Sequence, residues 1–270
     1  MALLRCEGIV LKTYALGDTS RIAVVYTREH GTMRLVAKGA RKAPSRFGFA
    51  LEPLSRSSLL VYHKPDRDLH LLSQADPIAA PGSRLADLAR LAHAQAALEL
   101  VDRLVWGEEP HPELYDLLVA VIDGVARAPL DALPAVTLAF ELQAASLLGY
   151  RPRLDACAEC GAGLSPRRLF SPARGGLLCD RCAAGEPGTL TLSADALAGI
   201  ALLLTRPVAE AGDFVAVPRA GEILKVVEAF LRQHFQRFQG LRSLEVLRVL
   251  AADAPRRPLP SRPPTPEPIR

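Results

Sequence analysis

Between Leu4 and Gln74, apolar and polar residues alternate in short runs broken by turn residues, the period of half-buried β-strands. Arg5–Thr13 alternates into the run Ile9-Val10-Leu11. Gly17-Asp18 then turns the chain into Arg21–Thr27, with Ile22, Val24 and Val25 as core candidates. Glu29-His30-Gly31 marks a hairpin from which Thr32–Ala37 returns. Ser57–His63 and, beyond Pro65-Asp66, Leu69–Gln74 complete the set. Five short strands fit a small closed barrel better than an open sheet. The expected topology is an OB-fold, and an SH3-like barrel is the other arrangement the pattern allows.

After Pro81-Gly82 the period becomes helical. Ser83 stands where it would cap a long helix to Val105, with Leu85, Leu88, Leu91, Leu98 and Val101 as its apolar face. Pro112 opens a helix to about Arg127, and Pro134 one to Leu148, stopped by Gly149 just past its end. Ser193 caps a run through Leu204. Arg219–Phe238 is amphipathic, and Ser243–Ala251 ends the helical part. The whole reads as an α+β multidomain chain: an OB-fold β-barrel over residues 1–80, then an all-helical domain over 81–150 and 191–252, with a cysteine module embedded at 151–190. Residues 253–270 hold seven prolines and too little apolar surface to fold, so a disordered tail is expected.

The module carries the clearest chemistry. Cys157-Ala-Glu-Cys160 and Cys179-Asp-Arg-Cys182 are two CxxC pairs at the spacing of a four-thiolate zinc site. A two-residue gap lets both sulfurs of a turn reach one ion, and the second pair closes the tetrahedron. With all four positions filled by protein, the expected Zn2+ is structural. Two disulfides are the duller alternative. No signal peptide opens the sequence and Cys6 is left over, so a reducing, cytoplasmic setting is the expectation. The module's task would be to pin the two helical halves together.

Charge adds a partner class. Residues 1–80 hold twelve Lys/Arg against seven Asp/Glu, whereas residues 81–252 hold seventeen against twenty. A basic first domain on a slightly acidic body points to an anionic partner, most often nucleic acid. The loop after the third strand places Lys38, Arg41, Lys42 and Arg46 within nine residues, without an acid and beside Phe47. Cations follow a phosphate backbone and a ring stacks on a base, which suits single-stranded DNA. The same loop also reads as a solvated surface, with Phe47 and Phe49 as core plugs. Arg34 and Lys12, on neighbouring strands, either extend the patch or face water. Arg167, Arg168, Arg174 and Arg181 on the module are candidates for a second DNA contact or for plain solvation.

No apolar run reaches the ~18 residues of a membrane span. There is no GxxxxGK[ST], GxSxG, HExxH or strand-borne GxGxxG. The six histidines show no helical metal spacing, Glu108-Glu109 reads as surface charge, and Trp106 is expected to pack at a helix end. No catalytic constellation emerges, and a binding protein rather than an enzyme is expected.

With these residues laid out, the chain resembles the bacterial RecO family of recombination mediators. Gly8-Ile9-Val10-Leu11, Gly17-Asp18-Thr19-Ser20 and Thr27-Arg28-Glu29-His30-Gly31 are similar to that family's opening. So are Ala37-Lys38-Gly39-Ala40-Arg41-Lys42, Ser45-Arg46 and Leu51-Glu52-Pro53-Leu54. Leu147-Leu148-Gly149-Tyr150-Arg151-Pro152-Arg153-Leu154-Asp155-Ala156-Cys157 and Gly175-Gly176-Leu177-Leu178-Cys179 are similar to its approaches to the zinc module. The resemblance implies DNA repair by ATP-independent annealing of complementary single strands, and help to RecA loading together with RecR and, in some bacteria, RecF. It also implies contact with the acidic tail of single-strand-binding protein, for which the Arg219–Phe238 helix is a candidate groove wall. Double-stranded DNA and nucleoid association are further expectations. The alternative is a zinc-stapled adaptor that binds acidic peptides without acting on DNA.

Overall fold

The computed structural model describes residues 2–65, 67–80 and 82–253; of the tail expected to be disordered over 253–270, Asp253 instead ends the last helix, and residues 254–270 lie outside the described residues. Five strands, β1 (Ala2–Leu16), β2 (Ser20–Thr27), β3 (Gly31–Ala37), β4 (Arg56–His63) and β5 (His70–Ala79), close a barrel in the order β1-β2-β3-β5-β4. Leu35 and Val36 of β3 pair in parallel with His70 and Leu71 of β5, while the other ladders are antiparallel. A simple meander has no parallel pair; this closure is the Greek-key arrangement of an OB-fold. β1 outruns its predicted span because it serves two neighbours. Residues 2–9 pair with β4 and residues 8–16 with β2, and a bulge at Leu11 bends the strand between them.

Alternation along these strands builds two cores at once. Val10, Val25, Met33, Leu35, Val61 and Leu72 point into the barrel. Ile9, Leu11, Val24 and Tyr26, on the opposite face of the same strands, pack with Leu54 into the helical core. Ile22 is only half-buried.

The helices are α1 (Leu88–Leu104), α2 (Pro112–Arg127), α3 (Leu133–Leu147), α4 (Asp180–Ala183) inside the cysteine module, α5 (Ala194–Thr205), α6 (Ala220–His234) and α7 (Arg242–Asp253). α3 is buried almost all round, as its lack of a polar face requires. Ser83 does not start α1. Residues 82–85 form a 3-10 turn, and the Asp87 carboxylate accepts the Arg90 amide at 2.8 Å as the cap. Of the expected apolar face, Leu85, Leu98 and Val101 are buried, whereas Leu88 and Leu91 are exposed and Ala94 and Ala97 take the remaining contact. Alanines let neighbouring helices approach closely, so the smaller residues take the contact. α6 ends at His234, earlier than expected, and Phe235 and Phe238 fold back into the core. Trp106 does not pack into the helix end but is 86% exposed. None of the described helices is long and apolar enough to cross a membrane.

Between α3 and α5, β6 (Leu169–Ser171), β7 (Gly176–Leu178) and β8 (Leu190–Thr191) form a small sheet in the order β7-β6-β8. Phe170 and Leu177 insert from it into the helical core, Phe170 lying edge-on to Phe230 of α6 at 6.4 Å. Tyr150, just past α3, lies tilted against His234 and edge-on to Phe235, with ring centroids 5.2 and 4.8 Å away, and His234 Nε2 lies 3.0 Å from the Pro172 carbonyl.

Candidate metal centre and nucleic-acid interface

The Cys157–Cys160 knuckle closes on itself: the Gly161 amide donates to the Cys157 carbonyl at 2.9 Å, with Gly161 at φ +73°. Cys179 begins α4, so Cys182 returns one turn later beside it. The four sulfurs all lie within 4.8 Å of one another, and Cys160 Sγ is 3.8 Å from Cys179 Sγ. A tetrahedron with ~2.3 Å metal–sulfur bonds has edges of about 3.8 Å, so the donor set fits a metal ion. Burial lifts the Cys157 thiol, but backbone amides of Cys160, Cys179 and Glu159 outweigh it and bring it to about 6. Hydrogen bonds with Cys160 and Cys179 push Cys182 up to about 12. Four thiolates this close cannot all stay ionised without a cation among them, which is the service a divalent metal supplies.

The second candidate is on the barrel. The helical body covers the outer face of β2 at Val24 and Tyr26 and leaves the Ile22 end free. Two hollows meet there, sharing Val36 and Lys38. One, of about 630 Å3, runs from Leu16 and Thr19 to Lys42 and Arg46. The other, of about 310 Å3, adds Tyr62, Lys64 and Arg67. The face over the second and third strands of an OB-fold, framed by the β1–β2 and β4–β5 loops, is where such barrels take oligonucleotides. Here that frame is Leu16–Ser20 and Lys64–Leu69, and Lys38, Lys42, Arg46, Lys64 and Arg67 supply the charge.

With both sites placed, the likeness to known proteins has a structural basis. The family model for the recombination protein O N-terminal region matches residues 1–81, and that for its C-terminal region matches residues 85–245. The chain belongs to the RecO family. A DNA repair protein RecO from Anaeromyxobacter sp. (strain K) is 39% identical over 240 residues, 88% of this chain and 93% of the relative. One from Streptomyces griseus is 38% identical over 251 residues, 90% of this chain and 98% of the relative. Membership carries a role in DNA repair and recombination.

Within this RecO-family chain the expected DNA contacts separate into groups. Lys38, Lys42 and Arg46 line the hollows and are exposed. Arg41 ties the loop down, its amide donating to the Thr19 carbonyl at 3.0 Å and its guanidinium to the Gly17 carbonyl. Phe47 is the core plug, 4% exposed, with the Arg46 guanidinium 4.6 Å above its ring, whereas Phe49 is exposed. Arg34 stands across from Val24, between the hollows and the helical body. Lys12, also in register with Val24, faces that body and pairs with Asp102 of α1 at 2.6 Å. On the module, Arg174 is held by Glu159 and Glu186 at 2.7 and 3.1 Å, and Arg168 donates to the Leu192 carbonyl at 3.0 Å. Arg167 is 3.9 Å from Asp180, and Arg181 sits against the Cys160 and Cys182 sulfurs.

Two features escaped the sequence. Lys64 and Arg67 stand alone beside acids in the chain, and only closure of the barrel brings them to Lys38. Glu108 is not plain surface charge: Oε2 is 3.0 Å from His63 Nε2 and Oε1 is 2.6 Å from His70 Nε2. The three ligand atoms are close enough for a metal ion. The Lys64 amide, however, donates to His70 Nδ1 at 3.3 Å, which leaves the proton on Nε2, aimed at Glu108. The cluster is a hydrogen-bonded clamp on both ends of the β4–β5 loop. Hydrogen bonds from the two rings hold the Glu108 carboxyl below its ordinary range, against the opposing pull of burial.

Proposed function

We propose that this protein binds single-stranded DNA along the basic face of its barrel and anneals complementary strands without nucleotide hydrolysis. It would thereby assist RecA loading with RecR and, where present, RecF. The observation that carries the reading is the run of Lys38, Lys42, Arg46, Lys64 and Arg67 along the open OB-fold face. Annealing asks for two strands held together with their charge screened, and a groove of cations provides that without fuel.

Cys157, Cys160, Cys179 and Cys182 hold one structural Zn2+ in this reading, supported by their donor set and spacing. The acidic tail of single-strand-binding protein competes for the barrel cations. Its alternative seat is the hollow walled by α6, where the acid group facing it is the buried Glu141.

The test is a strand-annealing time course with two labelled complementary oligonucleotides, comparing wild type with Lys38→Glu/Lys42→Glu/Arg46→Glu. Arg41 is spared because it holds the loop. The wild type accelerates annealing and the variant does not. The slope of log affinity against log salt becomes shallower by about 2 for three lost single-strand contacts. Equal slopes would remove this face from the site. Tight binding of an acidic peptide with no DNA binding at any salt would favour the adaptor.

A further inference from the structure

A cavity of about 280 Å3 lies where α3, α6 and α7 meet, with His93 of α1 on one side. Leu138, Leu224 and Leu247 make its walls mostly apolar. Glu141 also lines it, 1% exposed, and its Oε2 has no hydrogen-bond partner among the described residues. An unpaired buried carboxylate is among the costliest groups a core can hold, and a glutamine or leucine would fill the same helical position without that cost. The surrounding charge does not answer it. Glu228 adds a second negative charge, and Arg248 of α7 acts on Glu141 only through space, without an ion pair among the described residues. His93 is neutral, because burial lowers it to about 4, and its Nδ1 is 2.7 Å from Thr137 Oγ1.

We infer that this cavity is a binding site for a small aliphatic primary ammonium, with the –NH3+ on Glu141 and the alkyl chain along Leu138, Leu224 and Leu247. An ammonium brings three donors and the charge that the orphan oxygen lacks. The volume is at the small end for ligand pockets and suits a chain of about four to six carbons. Arg248 at the rim disfavours a second positive charge, so a monoamine is selected over a diamine. A carboxylate ligand finds no counter-charge in Glu141, whether that group is protonated or ionised. Burial, then Glu228, raise Glu141 to about 8. Ammonium binding near neutral pH therefore expels a proton, and affinity climbs with pH up to that value, by at most tenfold per unit.

The experiment is calorimetric titration of the metal-loaded full chain with n-hexylammonium, hexanol, hexanoate and hexane-1,6-diammonium. Hexylammonium binds with a Kd on the order of 1 mM or tighter, the others at least ~10-fold more weakly. At pH 7 its heat varies with the ionisation enthalpy of the buffer, reporting proton release. Glu141→Gln loses the preference for ammonium over hexanol while staying folded. Leu247→Trp, which fills the cavity without touching Glu141, loses both ligands. Equal binding of hexylammonium and hexanol, or an ammonium preference that survives Glu141→Gln, overturns the inference. So does absence of any heat with the free amine, including the case in which a lysine-bearing peptide alone binds in a Glu141-dependent way.

Discussion

Glu141 and His93 line the same cavity and answer to pH in opposite directions, which makes them a pair that stability measurements can separate. Glu141 is raised from an ordinary 4.5 to about 8, so its contribution is complete below pH 4.5 and is lost as pH rises through 8. His93 is lowered from 6.5 to about 4, so its contribution is present above pH 6.5 and is lost as pH falls towards 4. Between pH 6.5 and 8 only Glu141 acts. Over that window the urea midpoint of the wild type falls, whereas that of Glu141→Gln stays level. By pH 9 the variant is the more stable by roughly 2–4 kcal/mol. Parallel pH profiles would mean that Glu141 has a counter-charge. Neither residue announced itself in the sequence. Each is one polar residue inside an apolar helix, and only the packing of α1, α3, α6 and α7 leaves Glu141 Oε2 without a hydrogen-bond partner among the described residues.

At the scale of elements, what was legible followed how strongly a residue's chemistry fixes its surroundings. The barrel strands were read correctly because alternation of Val, Ile and Leu leaves few other ways to bury them. The CxxC pairs were legible because four thiols at that spacing have few other uses. In α1 the start and two face positions differ from expectation: leucines signal burial more loudly than alanines do, so Leu88 and Leu91 read as core, and Asp87 takes the cap from Ser83. Lys12 and the barrel-loop lysines look alike in sequence, yet the register of β1 with Val24 turns Lys12 towards α1. The His63–Glu108–His70 clamp was invisible because its members come from β4, β5 and the α1–α2 loop. That loop is tightly docked: the Thr32 amide donates to the Gly107 carbonyl at 2.9 Å, and a Cβ on Gly31 would meet the Glu109 carbonyl oxygen at 2.4 Å. Glu108→Ala strips the buried His70 of its acceptor and costs about 1–3 kcal/mol. Amide exchange at residues 63–70 should speed up more than exchange in the barrel core. Uniform exchange changes, or none, would show that the clamp does not hold the loop.

Over the whole molecule, the barrel, helices and ribbon are fastened by one continuous apolar core, since Ile9, Val24, Tyr26, Phe170 and Leu177 all join the same cluster as the helices. Polar contacts reinforce the barrel seam: Arg28 grips Asp116 through two bonds of 3.1 and 2.8 Å, and the Tyr115 hydroxyl donates to Glu7 at 2.9 Å. The two proposed sites, by contrast, are separate: the basic face belongs to the barrel, and the four thiols to the ribbon docked on α6. Removing the metal therefore tests whether the ribbon is a fastener or part of the DNA path. Without a cation the thiol cluster repels itself and the ribbon loosens, but Phe170 and Leu177 still anchor it. Chelation should lower the melting midpoint by roughly 5–10 °C, as expected for a loss of a few kcal/mol in a chain of this size. Annealing at 25 °C should persist, because Arg168 and Arg174 are committed to partners inside the module and contribute no free cation. Annealing that disappears while the barrel keeps its far-ultraviolet signature would place the ribbon in the DNA path and make Arg167 the first residue to reverse.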